Sequence, residues 1–438
     1  MPQIDLVIPM PPTPDADLHL GHAAGPYITA DIYRRMLQMG GRNVIFVSGC
    51  DALENWCADM GTEALARMRD RHESALASLG VEFDAFLSPL EGAFGEAYSR
   101  ILRDGFRKLC SHLQFEEVEE EILFSASDGV YGFGVDVAGE CPHCGARVQG
   151  SSCIQCFNDI QPAELVRPYM PGRDNTAPTT VTNAFLRIDG VSDEQLRAVG
   201  LPEVALRRFD TWRTETAGRM RLTYQGSFGV RPDGSTDRVL RNAYLYFCRA
   251  AAWTMTDGAS SPDRTFRLSA FMGLDNFIPN GIGSIVLAEH FDDIEVTRVE
   301  FNHMLHYDGR KFSKSKNHGP RILDLAQKWG ERRMAALRVH LAGLDLSGAI
   351  QEFDLGTFDA FAAEYECVIE WLSDAVGREE LAEAQDAGCL RDSIWGSAVC
   401  DAPRQFKRIE LTKLYQETLL SLSGPRSTVD ALIGMQFM

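Results

Sequence analysis

Residues 4–22 read IDLVIPMPPTPDADLHLGH, and this stretch carries most of the information about the fold. An apolar run at residues 4–8 is followed by a proline-rich segment, which leads into His19-Leu20-Gly21-His22. Residues 23–39 then form a stretch in which apolar residues recur with the period of a helix, and it stops before Gly40-Gly41. This order predicts a strand, a loop and a helix, with both histidines in the first helical turn. Residues three apart share one helix face, so the two imidazoles should lie side by side.

The first turn of a helix favours a bound polyphosphate, because its free N–H groups and its dipole end are positive. Imidazoles placed there can donate hydrogen bonds to phosphate oxygens as charge builds in a transition state. A second motif, Lys311-Phe312-Ser313-Lys314-Ser315, follows the turn signal Asp308-Gly309. A basic loop of this kind suits the capture of pyrophosphate. Taken alone, the histidines could be a solvated pair and the lysines an ordinary wet loop.

Together and in this order, the two motifs resemble the two signatures of a class I aminoacyl-tRNA synthetase. Further stretches are similar to methionyl-tRNA synthetase. They are Pro12, residues 44–47 followed by Cys50-Asp51, residues 271–275, and residues 337–340 before residues 353–355. The resemblance runs from about residue 4 to about residue 375.

Alternating strands and helices with a nucleotide motif predict a Rossmann-like, doubly wound parallel sheet, with its ligand at the carboxyl ends of the strands. The predicted strands are residues 4–8, 44–48, 265–271 and 296–301. The resemblance implies four domains. They are the first half of the catalytic domain (1–115), an inserted domain with a zinc knuckle (116–225), the second half of the catalytic domain (226–350) and a shortened C-terminal helical domain (351–438).

The resemblance also implies the chemistry: an amino-acid carboxylate attacks the α-phosphate of ATP, which arrives with Mg²⁺, and pyrophosphate leaves. It assigns catalysis to His19, His22, Lys311 and Lys314. It assigns ATP binding to Pro9, Gly21, Gly273, Asp275, Ser313 and Ser315, and amino-acid binding to Pro11, Thr13, Asp51, Tyr244 and Asn280. As alternatives, Asp51 could be a loop aspartate or could cap a helix that starts at residues 52–54, and Asp275 could cap a turn.

Two C-x-x-C pairs lie in the middle of the chain: Cys141 with Cys144, and Cys153 with Cys156. Four thiolates at this spacing can surround a tetrahedral zinc ion, and His143 is a conceivable substitute ligand. Two disulfides are the alternative, which is less favourable in an intracellular chain with eleven cysteines. The resemblance implies that this zinc is structural.

Several positions of the amino-acid pocket differ from the family. An aromatic residue is replaced by Thr13, a Trp-Leu-Asp-Ala-Pro stretch by residues 244–248, a lysine by Leu274 and a histidine by Asn280. An arginine expected near Gln225-Gly226 is missing. Because pocket hydrogen-bonding groups control selectivity, we expect ATP to be used but the amino acid to differ from methionine.

The C-terminal region bears on which molecule accepts the activated amino acid. Helical patterning at residues 357–372 resembles the start of the anticodon-reading bundle, which has about half its usual length here. Residues 359–386 contain nine acidic residues and one basic residue, which would repel an anticodon stem. We therefore expect an amino-acid-activating ligase whose acceptor is a small amine or a carrier protein. A true methionine–tRNA ligase and a non-catalytic relative are the alternatives.

The composition of the chain indicates which partners and which cellular location to expect. A net charge of −19 argues against broad affinity for nucleic acid, and we expect no DNA partner. The eight arginines between residues 207 and 241 are interpreted as a solvated face rather than a basic patch. The sequence has neither a membrane-spanning run nor a signal peptide, so we expect a cytoplasmic protein without a membrane partner.

Overall fold

The structure, a computed structural model, describes residues 3–188, 190–215, 218–232, 237–256, 258, 265–312 and 318–375. Its strands are β1 (Ile4–Pro9), β2 (Val44–Gly49), β3 (Ala85–Leu87), β4 (Phe115–Ser125), β5 (Val130–Tyr131), β6 (Ala138–Glu140), β7 (Arg147–Gln149), β8 (Val166–Tyr169), β9 (Thr176–Arg187), β10 (Arg219–Arg221), β11 (Thr223–Gln225), β12 (Arg238–Leu240), β13 (Phe266–Gly273), β14 (Ile294–Asn302), β15 (Leu305–Tyr307), β16 (Arg310–Lys311) and β17 (Gln351–Glu352).

The α-helices are α1 (Leu20–His22), α2 (Ile28–Met39), α3 (Thr62–Ala77), α4 (Gly92–Leu109), α5 (Asp193–Ala198), α6 (Glu203–Glu215), α7 (Tyr244–Met255), α8 (Gly283–Ala288), α9 (Ile322–Lys328), α10 (Glu331–Ala342) and α11 (Leu355–Ala375). Ala23–Tyr27 and Phe277–Ile282 are π-helical, whereas Asn55–Cys57, Gly134–Asp136, Pro162–Glu164 and Leu274–Asn276 are short 3₁₀ turns.

A parallel sheet with the strand order β14-β13-β1-β2-β3 organises the chain before α4 and after α7. Strand β1 is buried along its whole length, as expected of a continuous apolar strand covered on both faces. The strand order reverses between β1 and β13, whose register pairs Pro9 with Phe271. This reversal confirms the predicted doubly wound sheet and makes the carboxyl ends of β1 and β13 the expected ligand site.

Side chains on the two faces of β1 belong to two different hydrophobic cores. Leu6 and Ile8 pack in one core with residues of α4 and α7. Val7 packs in the other core with residues of α2 and α10. Successive side chains of a strand alternate between faces, so this single strand holds both helical layers in place.

Helix α2 does not begin where the sequence predicts. The predicted helix of residues 23–39 is interrupted, because Gly25 has the non-helical torsions φ −77° and ψ −108° inside the π-helical turn. Pro26 follows within the same turn and lacks a backbone N–H. The histidine pair therefore belongs to the short helix α1, which this kink separates from α2.

Between α4 and α7 the chain forms a separate group of sheets, which we call the inserted sheets. One has the strand order β10-β9-β4-β5, a small one has the order β7-β6-β8, and β11 pairs with β12. Inside the first, Arg221 and Glu120 form an ion pair at 2.5 Å, with their side chains 2% and 6% exposed. The domain limits at residues 115, 225 and 350 stay predictions.

Acidic neighbours neutralise much of the arginine-rich stretch of residues 207–241. Ion pairs join Arg213 to Asp210, Arg219 to Glu116, Arg221 to Glu120, Arg238 to Glu117 and Arg241 to Asp159. This pairing argues against a basic patch, but the interpretation of the whole stretch as a solvated face is wrong for Arg221, which is buried inside the inserted sheets.

The described C-terminal part of the chain is helical. Helix α11 packs against α10, and Phe358 and Tyr365 of α11 are buried in the second core. The rest of the predicted C-terminal domain, residues 376–438, lies outside the described residues. Within the described ranges, none of the helices has the length and apolar character needed to cross a bilayer.

Candidate active site at the carboxyl edge of the sheet

The histidine pair lies directly after the loop that leaves β1. His19 is the N-cap of α1, and its backbone N–H donates to Nδ1 of His22 at 3.2 Å. The two ring centroids are 3.9 Å apart, so the two imidazoles are in direct contact. Because Nδ1 of His22 accepts a hydrogen bond, the neutral ring carries its proton on Nε2, which is therefore a donor.

The loop that carries the histidines is fixed to neighbouring strands. Met10 donates its backbone N–H to the carbonyl of Phe271, and the Tyr27 hydroxyl donates to the Met10 carbonyl at 2.8 Å. Pro9 is the last residue of β1, and its carbonyl accepts from the Ser48 hydroxyl at 3.1 Å. These bonds tie the ends of β1, β2 and β13 to one another, so the site rests on a rigid sheet edge.

Gly273 is the last residue of β13, and Asp275, two residues later, lies close to Lys311. A Cβ atom at position 273 would lie 2.6 Å from Oδ1 of Asp275, so the glycine lets this carboxylate fold back. Burial raises the pKa of Asp275, and the nearby Lys311 ammonium opposes that rise. The carboxylate also accepts hydrogen bonds from Asn276, which agrees with the turn-capping alternative. The structure thus brings Lys311 close to the predicted ribose-binding position.

The predicted lysine motif begins at the end of a strand. Lys311 is the last residue of β16, and it pairs with His306 of β15. Ser313, Lys314 and Ser315 lie outside the described residues. Lys311 and Phe312 are therefore the two members of this motif that the structure positions.

A cleft, here called the Asp51 cleft, opens between the ends of β1 and β2 and the start of α7. The Asp51 carboxylate accepts a hydrogen bond from the Asn242 amide at 3.1 Å, and the Asp51 backbone N–H donates to the Pro12 carbonyl. Residues 52–54 form a turn rather than a helix, so Asp51 does not cap a helix there, but its carboxylate accepts a backbone hydrogen bond from Leu53, as the loop-aspartate alternative expects. The lining of the cleft includes Met10, Pro11, Asp51, Asn242, Tyr244 and Phe247.

The Asp51 carboxyl has an acidic neighbour that the sequence pattern does not reveal. The carboxyl groups of Glu54 and Asp51 share a hydrogen bond, and Arg241 lies close enough to act on both. Burial raises the pKa of Asp51 well above its usual range, and the Glu54 carboxylate adds to the rise. The sequence does contain a second carboxylate, Glu54, three residues after Asp51. The local pattern of residues does not show, however, that the two carboxyl groups contact each other.

Of the other predicted pocket residues, Pro11 and Tyr244 line this cleft, whereas Thr13 and Asn280 are not part of its lining. The Tyr244 ring lines it, but its hydroxyl donates to the Ile8 carbonyl at 2.6 Å. Asn280 is buried, accepts from the Tyr244 backbone N–H at 3.4 Å and donates to Asn276 at 2.8 Å. Thr13 is half-buried in the loop that contains Pro11. The hydrogen-bonding groups of Tyr244 and Asn280 are therefore already engaged by the protein.

The four knuckle cysteines meet at one point of the inserted sheets. Their Sγ atoms all lie within 4.8 Å of one another, and the Cys141–Cys156 and Cys144–Cys153 pairs are each 3.6 Å apart. A disulfide needs about 2.05 Å between sulfurs, so these pairs are not disulfides. Tetrahedral zinc with bonds of about 2.3 Å places its sulfur ligands about 3.8 Å apart. The four thiols therefore fit a zinc ion.

Each C-x-x-C pair ends in a tight turn. Gly145 donates its N–H to the Cys141 carbonyl, and Phe157 donates to the Cys153 carbonyl. Both residues have positive φ, 72° for Gly145 and 59° for Phe157. His143 donates from Nδ1 to Glu215 at 2.8 Å, so this nitrogen is engaged by a carboxylate.

A family model described as "tRNA synthetases class I (M)" matches residues 9–241. Curated relatives include the methionine–tRNA ligase of Chlorobium phaeovibrioides, 26% identical over 368 residues that cover 75% of this chain and 52% of the relative. The methionine–tRNA ligase of Chlamydia trachomatis (serovar L2b) is 31% identical over 165 residues, which cover 36% of this chain and 29% of the relative. The chain thus spans at most about half the length of these relatives.

Solved structures show the same fold. Methionyl-tRNA synthetase of Mycobacterium tuberculosis in complex with methionyl-adenylate has a TM-score of 0.55 at 18% identity, covering 82% of this chain and 68% of that one. The apo form of that enzyme gives a TM-score of 0.52 at 13% identity, covering 82% and 65%. Because the family model matches more than half of its residues, the chain belongs to the class I (M) tRNA synthetases, as a methionyl-tRNA synthetase-like member.

Proposed function

We propose that this chain is an ATP-dependent ligase that activates an amino acid as its aminoacyl-adenylate. The observation that carries the proposal is the convergence of the histidine pair, the Asp275–Lys311 pair and the Asp51 cleft at one sheet edge. An oxygen of the amino-acid carboxylate attacks the α-phosphorus of ATP. The bond from that phosphorus to the bridging oxygen breaks, and pyrophosphate leaves.

In this reaction the histidines act on the phosphate. The Nε2–H of His22 and the imidazole of His19 stabilise the charge that develops on the α-phosphate oxygens. Gly21 lets the nucleotide approach α1 closely. Mg²⁺ bound to ATP supplies further neutralisation of the phosphate charge.

The remaining ATP-binding groups hold the two ends of the nucleotide. Gly273 and Asp275 bind the ribose, and Lys311 and Lys314 receive the departing pyrophosphate. The other proposed contributors to the ATP site are Pro9, Ser313 and Ser315.

The Asp51 cleft binds the amino acid. The Asp51 carboxylate pairs with the substrate ammonium, and Pro11, Thr13, Tyr244 and Asn280 surround the rest of the substrate. The pocket departs from the family at Thr13 and Asn280, and the Asn280 amide is already bonded to its neighbours. These differences support an amino acid other than methionine as the substrate.

Pyrophosphate exchange tests this proposal. ATP–pyrophosphate exchange is measured without tRNA, with each of the twenty amino acids in turn, and one of them is expected to stimulate it. If none does, ATP binding is titrated by calorimetry. ATP binding then directs the search to non-proteinogenic amino acids, whereas a chain that neither exchanges nor binds ATP is a non-catalytic relative.

We propose further that the acyl group goes to a small amine or a carrier protein rather than to tRNA. Two acidic segments support this acceptor: the sequence of residues 359–386, and the exposed glutamates Glu119 and Glu121 of β4. Both would repel a phosphate backbone. The matched relatives are methionine–tRNA ligases, so charging of tRNA with the activated amino acid is the result that would overturn this acceptor.

We also propose that Cys141, Cys144, Cys153 and Cys156 hold a structural Zn²⁺. A tetrahedral site with four thiolates is complete, so it has no open position for a substrate. The ion would therefore stabilise the fold of the inserted sheets and take no part in the adenylation.

The Asp51–Glu54 pair should make amino-acid binding depend on pH. A protonated Asp51 no longer attracts the substrate ammonium, so the KM for the amino acid should rise as the pH falls through the raised pKa of Asp51. Glu54→Gln removes the neighbouring negative charge and lowers that pKa. The rise in KM should therefore begin about one pH unit lower in the variant.

This effect is measured as the KM in pyrophosphate exchange across the acidic and neutral range. Glu63→Gln changes an exposed glutamate of α3 in the same way and serves as the control. Identical pH profiles for the wild type and Glu54→Gln would show that Glu54 does not act on Asp51.

A further inference from the structure

The side chain of Phe312, next to Lys311, lies against the histidine pair. Phe312 is 4% exposed, and its ring centroid is 5.1 Å from that of His19, with an angle of 26° between the ring planes. The His19 ring centroid is in turn 3.9 Å from that of His22. The rings of His22, His19 and Phe312 therefore form a continuous series, which we call the ring stack.

Two glycines leave room for the ring stack. A Cβ atom at Gly319 would lie 2.2 Å from Cδ1 of Phe312, and Gly319 has a φ of 87°. A Cβ atom at Gly21 would lie 3.1 Å from Nδ1 of His19 and 3.6 Å from Cδ2 of Phe312. ATP binding accounts for Gly21 in the proposed function, but it does not account for Gly319. At position 319, the Phe312 ring fills the space that a side chain would need.

The chain on both sides of Phe312 is anchored in this region. After it, Arg321 forms a backbone bridge with His19, and its guanidinium donates to the Asp17 carbonyl at 3.3 Å. Before it, Tyr307 of β15 packs on the Phe312 ring with 5.9 Å between centroids. These contacts hold the aromatic ring against His19 from two directions.

We propose that Phe312 is a positioning residue that holds the His19 imidazole in its catalytic orientation. The inference rests on the proposed function. A flat ring stacked on the imidazole, together with the neighbouring His22 ring, restricts rotation of His19. The hydrogen bond that His19 gives to the phosphate depends on that orientation, because a donor must point to where charge develops. Through Phe312, the lysine segment therefore sets the geometry of the histidine pair.

Phe312→Leu tests the proposal, because leucine fills much of the same space without a flat ring. The variant should lower the kcat of pyrophosphate exchange by about tenfold and leave the KM for the amino acid unchanged. Phe312→Tyr keeps the ring and should restore most of the lost rate. Phe209→Leu is the matched control, since Phe209 of α6 is 0% exposed and its ring stacks on Trp212 rather than on any member of the ring stack.

A second measurement does not need turnover. In NMR spectra of the full chain, the His19 ring protons, identified by their loss in His19→Gln, should show a ring-current shift that disappears in Phe312→Leu. Unchanged His19 signals would overturn the proposal, and so would an equal loss of kcat in Phe209→Leu or a wild-type kcat in Phe312→Leu. A wild-type chain that fails in exchange contradicts the proposed function instead, and the NMR comparison still tests the ring contact.

Discussion

Replacing His22 with alanine should lower the rate of ATP–pyrophosphate exchange by roughly two to three orders of magnitude, the usual cost of one lost transition-state donor. The variant loses the Nε2–H that is proposed to donate to the α-phosphate, and it also loses the Nδ1 acceptor of the His19 backbone N–H. The exchange rate at saturating ATP and amino acid measures the combined effect.

A second substitution separates these two contributions. His22→Asn retains an acceptor near the position of Nδ1 but has no group in place of Nε2–H. If the catalytic role is correct, His22→Asn is as slow as His22→Ala, although its melting temperature stays closer to that of the wild type. His290→Ala, a change in a histidine that packs on His112, should leave the exchange rate unaltered. A wild-type rate in His22→Asn would reduce His22 to a helix-capping residue.

Cys153→Ser should abolish zinc binding and unfold the small sheet β7-β6-β8. The hydrophobic core of this sheet is small, and it contains two of the proposed ligands. Its buried members are Val137, Cys141, Val148, Cys153, Ile160 and Leu165. Burial of so few apolar side chains cannot offset the conformational entropy that the surrounding loops lose on folding. Metal binding must therefore supply the remaining free energy of folding.

Zinc content per chain and the calorimetric melting profile measure this effect. We expect about one zinc per wild-type chain and close to none in the variant, together with loss of a low-temperature transition. Cys110→Ser removes an exposed cysteine and should change neither quantity. Equal zinc content in Cys153→Ser and the wild type would contradict the four-cysteine site.

Four of the five strands of the parallel sheet could be predicted from the sequence, because each is an apolar run bounded by turn residues, whereas the three-residue edge strand β3 was not predicted. The predicted strand of residues 44–48 corresponds to β2 (Val44–Gly49), and that of residues 296–301 to β14 (Ile294–Asn302). The histidine motif could also be located, since it follows the strand β1 and a proline-rich loop at the start of a helical segment. These features depend on residues that are neighbours in the chain.

Other parts of the site depend on contacts that local patterns do not encode. The interruption at Gly25 was missed although Gly25-Pro26 is a breaker signal, because the apolar periodicity on both sides fits one helix. The pairing of Glu54 with Asp51 requires a turn at residues 52–54, where the sequence allowed a helix. The packing of Phe312 on His19 joins segments that only the tertiary fold brings together.

The neighbouring positions of β1 and β13 have a consequence for synthesis of the chain. Their register joins Ile4 to Phe266, so β1 leaves the ribosome long before its partner has been translated. Pairing across such a separation is slow, and the waiting strand exposes apolar edges. The inserted sheets, whose partners are closer in sequence, can fold during that interval. We therefore expect nascent chains that end before β13 to contain a folded insertion beside an unformed nucleotide site.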